Sequence, residues 1–204
     1  MQIEKDSRQV PKVRDYMANS KYCDILYCYF QTISVWDNMV GHPRTFSKKE
    51  KNFSKIGAVL GQSRQTISKK FKNLLDLGLI KETEDNYELI ILEEDLASLI
   101  PIETLRVLVN TMNDNTISIY VYLLNRYYAT INGGQQEFLF TKEQLKNIVG
   151  LSITTRSNDY IIDDILAILQ KLNLLQFESR DVIDKNTGDT KTHLYITKMS
   201  NKII

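Results

Sequence analysis

Only two cysteines, two histidines, three prolines and eight glycines occur in 204 residues. Cys23 and Cys28 lie five apart, which is neither the CxxC of a redox pair nor the spacing of a zinc knuckle, so both are expected to be small core residues. His42 and His193 stand far apart with no neighbouring ligand. That pattern excludes the paired-histidine metal centre that a relaxase or rolling-circle nuclease sets beside its tyrosine, and no metal is expected. The run Gly57-Ala-Val-Leu-Gly61-Gln-Ser63 lacks the lysine and spacing of a phosphate loop, so nucleotide hydrolysis is not expected either. No apolar run is long enough to span a bilayer, and the opening residues MQIEKDSRQVPKVRD lack a signal-peptide core; the expected location is the cytoplasm, away from membranes. Eleven tyrosines are present, but the cluster Tyr120, Tyr122, Tyr127 and Tyr128 has helical spacing and reads as core or interface aromatics rather than nucleophiles. Neither a catalytic residue nor a cofactor is assigned.

What remains is ordinary globular material. The chain is 43% hydrophobic and 25% charged, enough to bury a core, and its length suits two domains of about 100 residues each. The formal net charge of +1 conceals a strong partition. From Gly41 to Lys81 ten bases stand against two acids, Glu50 and Asp76, for a net +8. From Glu82 to Glu103 eight acids meet no base, for a net −8. A basic block confined to one segment of a near-neutral chain is the expected footprint of a phosphate-binding face.

Periodicity places elements on this charge map. Asp24 to Asn38 carries Leu26, Tyr29, Phe30, Ile33 and Trp36 at helical spacing, predicting an amphipathic helix. Pro43 breaks it and Thr45, Phe46 and Ser47 restart the chain in extended form. Ser47 and Glu50 have capping-box spacing ahead of Phe53, Ile56, Val59 and Leu60, so a second helix is predicted up to Gly61. A third, Arg64 to Leu77, would be capped by Ser63, with Ile67, Phe71, Leu74 and Leu75 inward. Its outward positions, Arg64, Gln65, Thr66, Ser68, Lys69 and Lys72, supply forked donors, amides, hydroxyls and ammonium groups. Arg and Gln suit base edges, and Lys and Ser suit phosphate oxygens. Lys70 and the preceding Lys48, Lys49, Lys51 and Lys55 join the expected basic surface. Gly78 ends the helix, and a hairpin follows from Leu79-Ile80-Lys81-Glu82 and Tyr87 to Leu92.

The segment Gly61-Gln-Ser-Arg-Gln-Thr-Ile-Ser-Lys-Lys-Phe-Lys-Asn-Leu-Leu-Asp-Leu-Gly-Leu-Ile80 resembles the winged-helix module of many bacterial regulators and of plasmid or phage replication initiators. The resemblance covers about 40 residues and implies that Ser63, Arg64, Gln65, Thr66 and Ser68 stand at DNA-contacting positions. The hairpin acids Glu82, Glu84, Asp85 and Glu88 depart from the pattern and oppose the phosphate contact usual for a wing.

Beyond Pro101, the residues Ile102, Leu105, Leu108, Val109 and Met112 predict a bridging helix that stops at Asn113-Asp114-Asn115. From Thr116 the order begins again. Ile117, Tyr120, Val121 and Leu124 mark a helix, Gly133-Gly134 a turn, and Phe138-Leu139-Phe140 a strand. Thr141 and Gln144 form a second capping box, Gly150 ends the helix it opens, and Asn158 to Leu172 is the next helix. Aligning Gly61 with Gly150 also aligns Ser63 with Ser152. Leu175 to Ile183 and Lys191 to Thr197 close the pattern as a longer hairpin around Asp184-Lys-Asn-Thr-Gly188. Four bases and four acids in Thr141 to Leu172 cancel, and Asp159, Asp163 and Asp164 would repel phosphate. Only Arg156, Lys185 and Lys191 are set down as candidate contacts here; the face otherwise suits a protein partner.

The pattern Ile100-Pro-Ile-Glu-Thr-Leu105, then Ile117-Ser-Ile-Tyr-Val-Tyr-Leu-Leu124 and a further winged helix, is similar to tandem winged-helix proteins of plasmids, phages and integrative elements. The expected fold class is therefore mostly α with small β-hairpins (α+β), as two winged helix-turn-helix domains. A charged arm over 1–22 precedes a first domain over 23–92, a helical linker over 93–115 and a second domain over 116–200. The expected activity is sequence-specific double-stranded DNA binding that initiates or organises replication of a mobile element. The alternatives are a dimeric transcriptional regulator and a protein adaptor. The second domain is expected to contact another copy or a replication protein.

Overall fold

The computed structural model describes residues 7–11, 24–36, 43–90, 97–135, 137–183, 188 and 190–202. It is a mixed α/β fold with small antiparallel sheets, and the chain divides into two compact units.

Unit 1 takes in residues 22–117 and the first eleven. Helix α1, Ile25–Ile33, opens on Asp24, whose carboxylate accepts the Leu26 N–H at 2.7 Å. It is shorter than its apolar spacing suggests. Ser34 is extended, its hydroxyl donates to the Gln31 carbonyl, and Val35–Trp36 becomes strand β2, paired with β3 (Arg44–Ser47). A β-branched residue beside an aromatic fits that short strand better than a fourth helical turn. The Ser47–Glu50 capping box is present but closes only a 3-10 turn, Lys48–Glu50. Helix α2, Phe53–Leu60, has its own cap, with Asn52 accepting the Lys55 N–H. Val59, predicted to face inward, is exposed. Gly61 ends α2 at a φ of 63°, a left-handed conformation glycine adopts without strain. Helix α3, Arg64–Asp76, follows with Ser63 as cap, and β4 (Ile80–Glu82) and β5 (Asn86–Leu89) form the hairpin.

These strands make a sheet in the order β2-β3-β5-β4. The core is aromatic: Phe30 stacks on Phe46 at 4.3 Å between centroids, and Phe71 meets Phe30 and Tyr87 edge-on at 5.7 and 5.1 Å. The expected arm and linker both contribute to this unit. Ser7–Pro11 is strand β1, paired along its length with β6 (Ala97–Pro101), and α4 (Ile102–Asn110) packs against α1. Arg8, on a strand that reads as polar, is buried and donates to the Gln31 carbonyl at 3.1 Å.

Helix α5, Asp114–Asn132, begins in unit 1 and continues in unit 2, which takes in residues 118–204. Unit 2 continues with β7 (Phe138–Phe140), α6 (Lys142–Ile148), α7 (Ser157–Lys171), β8 (Leu175–Ile183) and β9 (Thr190–Met199), its sheet ordered β7-β9-β8. This is the strand order of β3-β5-β4 in unit 1. The repeat extends to hydrogen bonds. Gln62 N–H donates to the Gly57 carbonyl as Leu151 N–H does to Lys146, each at 2.8 Å, and Leu79 N–H to Leu74 as Leu174 N–H does to Leu169, each at 3.0 Å. The Thr141–Gln144 capping box forms as predicted. Ser152 does not repeat Ser63: extra residues separate Gly150 from α7, whose first turn has no side-chain cap.

Candidate nucleic-acid interface

Helix α3 owes its direction to both ends. At its start the Ser63 hydroxyl accepts the Thr66 N–H at 3.1 Å and lies 2.9 Å from the Thr66 hydroxyl. At its end Gly78, at a φ of 66°, turns the chain into β4. Ile67, Phe71 and Leu74 are buried, which leaves Ser63, Arg64, Gln65, Thr66, Ser68, Lys69 and Lys72 exposed together, as expected. Lys49 and Lys55 are exposed as well. None of Arg64, Lys49, Lys55, Lys69 and Lys72 is ion-paired with a described carboxylate. Within this group the Ser63 and Thr66 hydroxyls are already engaged with each other, and that of Ser63 also caps the helix.

Three predicted cations are placed otherwise, and each displacement has a physical cause. Lys70 turns inward, its Nζ 3.3 Å from Asp24 and 2.5 Å from Asp114, with only 15% of its side chain exposed. Two acids beside the helix draw it off the reading face. Asp114 also accepts the Ile25 N–H at 2.9 Å and the Gln62 side-chain amide at 3.3 Å. Burial raises Asp24 above the usual aspartate value against the lowering effect of Lys70. Lys48 pairs with Glu82 on the hairpin at 2.9 Å, an ion pair that raises Lys48 and lowers Glu82 from their ordinary values. One of the hairpin acids is thereby neutralised. Lys51 donates to the Tyr87 hydroxyl at 2.7 Å and lies over three rings, 4.7 Å from the centroid of Phe71, 5.1 Å from Tyr87 and 5.6 Å from Phe53.

Lys49, Lys51, Asn52, Phe53, Ser54 and Arg64 line a hollow of about 300 Å³. Asn52 and Ser54 were not among the predicted contacts. Their signal in the sequence is a polar pair at the start of α2, hidden because the Ser47 capping box drew the helix start forward.

In unit 2 the acids of α7 are largely answered. Asp159 pairs with Lys146 at 2.7 Å and Asp163 with Lys142 at 2.6 Å, and the Lys146 bond holds Asp159 below its ordinary value. Lys146 itself is buried and donates to the Ile153 carbonyl at 2.9 Å. Arg156 is exposed at the start of α7. Lys185 lies outside the described residues, and of Lys191 only the β9 backbone is described. Tyr160, 72% exposed, and Ile161 stand on the open face of α7.

Cys28 is buried in α1, whereas Cys23 and His42 lie outside the described residues. Among the described residues no cluster of His, Cys, Asp and Glu could hold a metal ion, and no helix is long and apolar enough to cross a membrane. Tyr120 is buried, which pushes its hydroxyl pKa up, and it donates to the Ser200 carbonyl at 2.9 Å. Compared with known proteins, the chain matches no family model, no curated protein and no solved structure.

Proposed function

We propose that this chain is a sequence-specific double-stranded DNA-binding protein made of two winged helix-turn-helix modules, with α3 as the helix that enters the major groove. The observation that carries the proposal is the face shared by α3 and the start of α2. It sets Arg64, Lys49, Lys55, Lys69 and Lys72 in solvent without described carboxylate partners, around the amide of Gln65 and the hydroxyls of Thr66 and Ser68. Unpaired cations on a capped, well-packed helix attract a polyanion at little cost in reorganisation, and an Arg-Gln pair at the helix start supplies bidentate base readout. Binding, with no catalytic step, is the proposed activity. In the cell it would start or organise replication of a plasmid, phage or integrative element, with unit 2 meeting another copy or a replication protein.

Fluorescence anisotropy on a duplex selected from genomic fragments, over a series of salt concentrations, tests this. Arg64→Ala is expected to cost about 1 to 3 kcal/mol on the selected site and to relax sequence preference. Lys69→Ala should weaken all duplexes alike and lower the salt slope by about one. Equal losses on selected and random DNA for both variants would remove Arg64 as a reading residue. Footprinting of the selected fragments assigns the role: a repeated origin array supports replication, and a palindrome over a promoter replaces that role with transcriptional regulation.

A further inference from the structure

The position of Lys51 is unusual for a lysine on a basic surface. The residue is half-buried, one of the three donors of its ammonium goes to the Tyr87 hydroxyl, and three aromatic rings lie within 6 Å. No described carboxylate pairs with it. Rings compensate a desolvated ammonium only in part, because a quadrupole carries no net charge. Lys48, the neighbour across the 3-10 turn, holds the nearby carboxylate of Glu82 at 2.9 Å, whereas Lys51 acts on that carboxylate only at longer range and keeps donor capacity to spare.

The same lysine lines the 300 Å³ hollow, together with Lys49, Arg64, Asn52, Ser54 and Phe53. Three cationic side chains, a hydroxyl and an amide around one small concavity suit a ligand with several anionic oxygens at tetrahedral angles better than a planar carboxylate. Arg64 belongs both to this hollow and to the first turn of α3. An anion seated here would therefore lie directly beside Arg64, the first of the positions that read bases.

We propose that this hollow is a preformed phosphate site that takes one phosphodiester of the bound duplex, with the caged Lys51 ammonium as its fixed charge and Lys49 and Ser54 closing on the oxygens, while Arg64 at its rim stays free to read bases. The proposal rests on the DNA-binding reading and adds a specific clamp to it. A fixed phosphate contact sets the register of the helix in the groove, so the site acts on where α3 reads as well as on how tightly it binds.

Two measurements on the full chain test it. In the first, backbone amide NMR shifts are followed while inorganic phosphate is titrated against chloride at matched ionic strength. Saturable shifts over residues 49–54 and 64 with phosphate alone are expected, and equal response to chloride, or none, overturns the site. In the second, duplex affinity is measured against salt for Lys51→Met, which keeps the stem among the rings, and for Ser54→Ala, an exposed position outside the core. Lys51→Met should lower the salt slope by about one, and Ser54→Ala should weaken binding at an unchanged slope. A wild-type slope in Lys51→Met with wild-type affinity in Ser54→Ala overturns the clamp while leaving DNA binding intact. Should the wild-type chain bind no duplex but still saturate with phosphate, the DNA reading falls and the hollow stands as a site for a free phosphoryl group.

Discussion

Lys69 and Lys70 are adjacent in sequence and have opposite surroundings, so they should have opposite phenotypes. Lys69 is exposed, whereas Lys70 sits between Asp24 and Asp114. Removing Lys70 leaves two acids, one of them buried, facing each other without a cation. Lys70→Ala is expected to cost about 3 kcal/mol of stability in urea unfolding, while the folded fraction keeps its duplex affinity. Lys69→Ala should do the reverse. Asp24 gives a pH test of the same cluster. Burial is the largest influence on it, and its pKa is raised above 3.8 in the folded chain. The folded state therefore holds this proton more tightly than the unfolded state, and Asp24's contribution makes stability fall as pH rises from 3.8 through its folded value. The facing groups are the Lys70 ammonium, which works against the shift, the Asp114 carboxylate, which adds to it, and the Leu26 N–H. Asp24→Asn keeps a good helix cap and removes the titrating proton. Its urea midpoint should decline less than that of the wild type across that interval, and an identical decline would place the titration elsewhere.

At the scale of elements, α2 and α3 are locked by an unusually close approach. A side chain added at Gly57 would collide with the backbone carbonyl of Gln62 in the turn. The turn's hydrogen bond does not itself demand glycine, because Lys146 holds the matching position in unit 2 and sends its side chain to the Ile153 carbonyl. Gly57→Ala should therefore spread α2 from the turn, cost about 2 kcal/mol by overpacking and lower duplex affinity together with the thermal midpoint; an unchanged midpoint would show that the turn yields freely. The helix so held was legible in the sequence, because Ser63, the Ile67–Phe71–Leu74 stripe and Gly78 are local signals read within 16 residues. The β1–β6 pair was not. Its register joins Ser7 to Pro101 and Val10 to Ser98, so neither strand has a sequence-local partner, and buried Arg8 imitates a surface residue. Helix α1 was overrun for a related reason: Trp36 continues its apolar spacing, but the chain turns extended at Ser34 and Val35 and Trp36 pair with Thr45 and Arg44. The candidate site divides the same way. Exposure on α3 follows from period alone, whereas the inward turn of Lys70 depends on Asp114, 44 residues away.

Across the whole molecule charge is sorted by surface more than by sum. The net +1 conceals a basic stretch from Gly41 to Lys81 in unit 1, where several cations stand without a described carboxylate partner, offset in the same unit by the acids from Glu82 to Glu103, whereas in unit 2 the α6 lysines Lys142 and Lys146 pair with α7 aspartates. Lys142 and Lys146 are spent on Asp163 and Asp159, so the part of unit 2 that repeats the α2–α3 pair has little positive charge left for phosphate. Its open face offers Tyr160, Ile161 and Asp164 instead, a mixture closer to a protein contact than to a polyanion contact. If α7 stands clear of bound DNA, the sign of a charge on that face is immaterial to affinity at ordinary salt, because the Debye length is only about 8 Å. Asp164 suits the test better than Asp163, whose reversal would break the Lys142 pair and confuse stability with binding. Asp164→Lys is expected to leave both duplex affinity and its salt dependence at wild-type values. A rise of about one in the salt slope, with tighter binding to random and selected DNA alike, would instead put α7 against the phosphate backbone and make unit 2 a second DNA-contacting module.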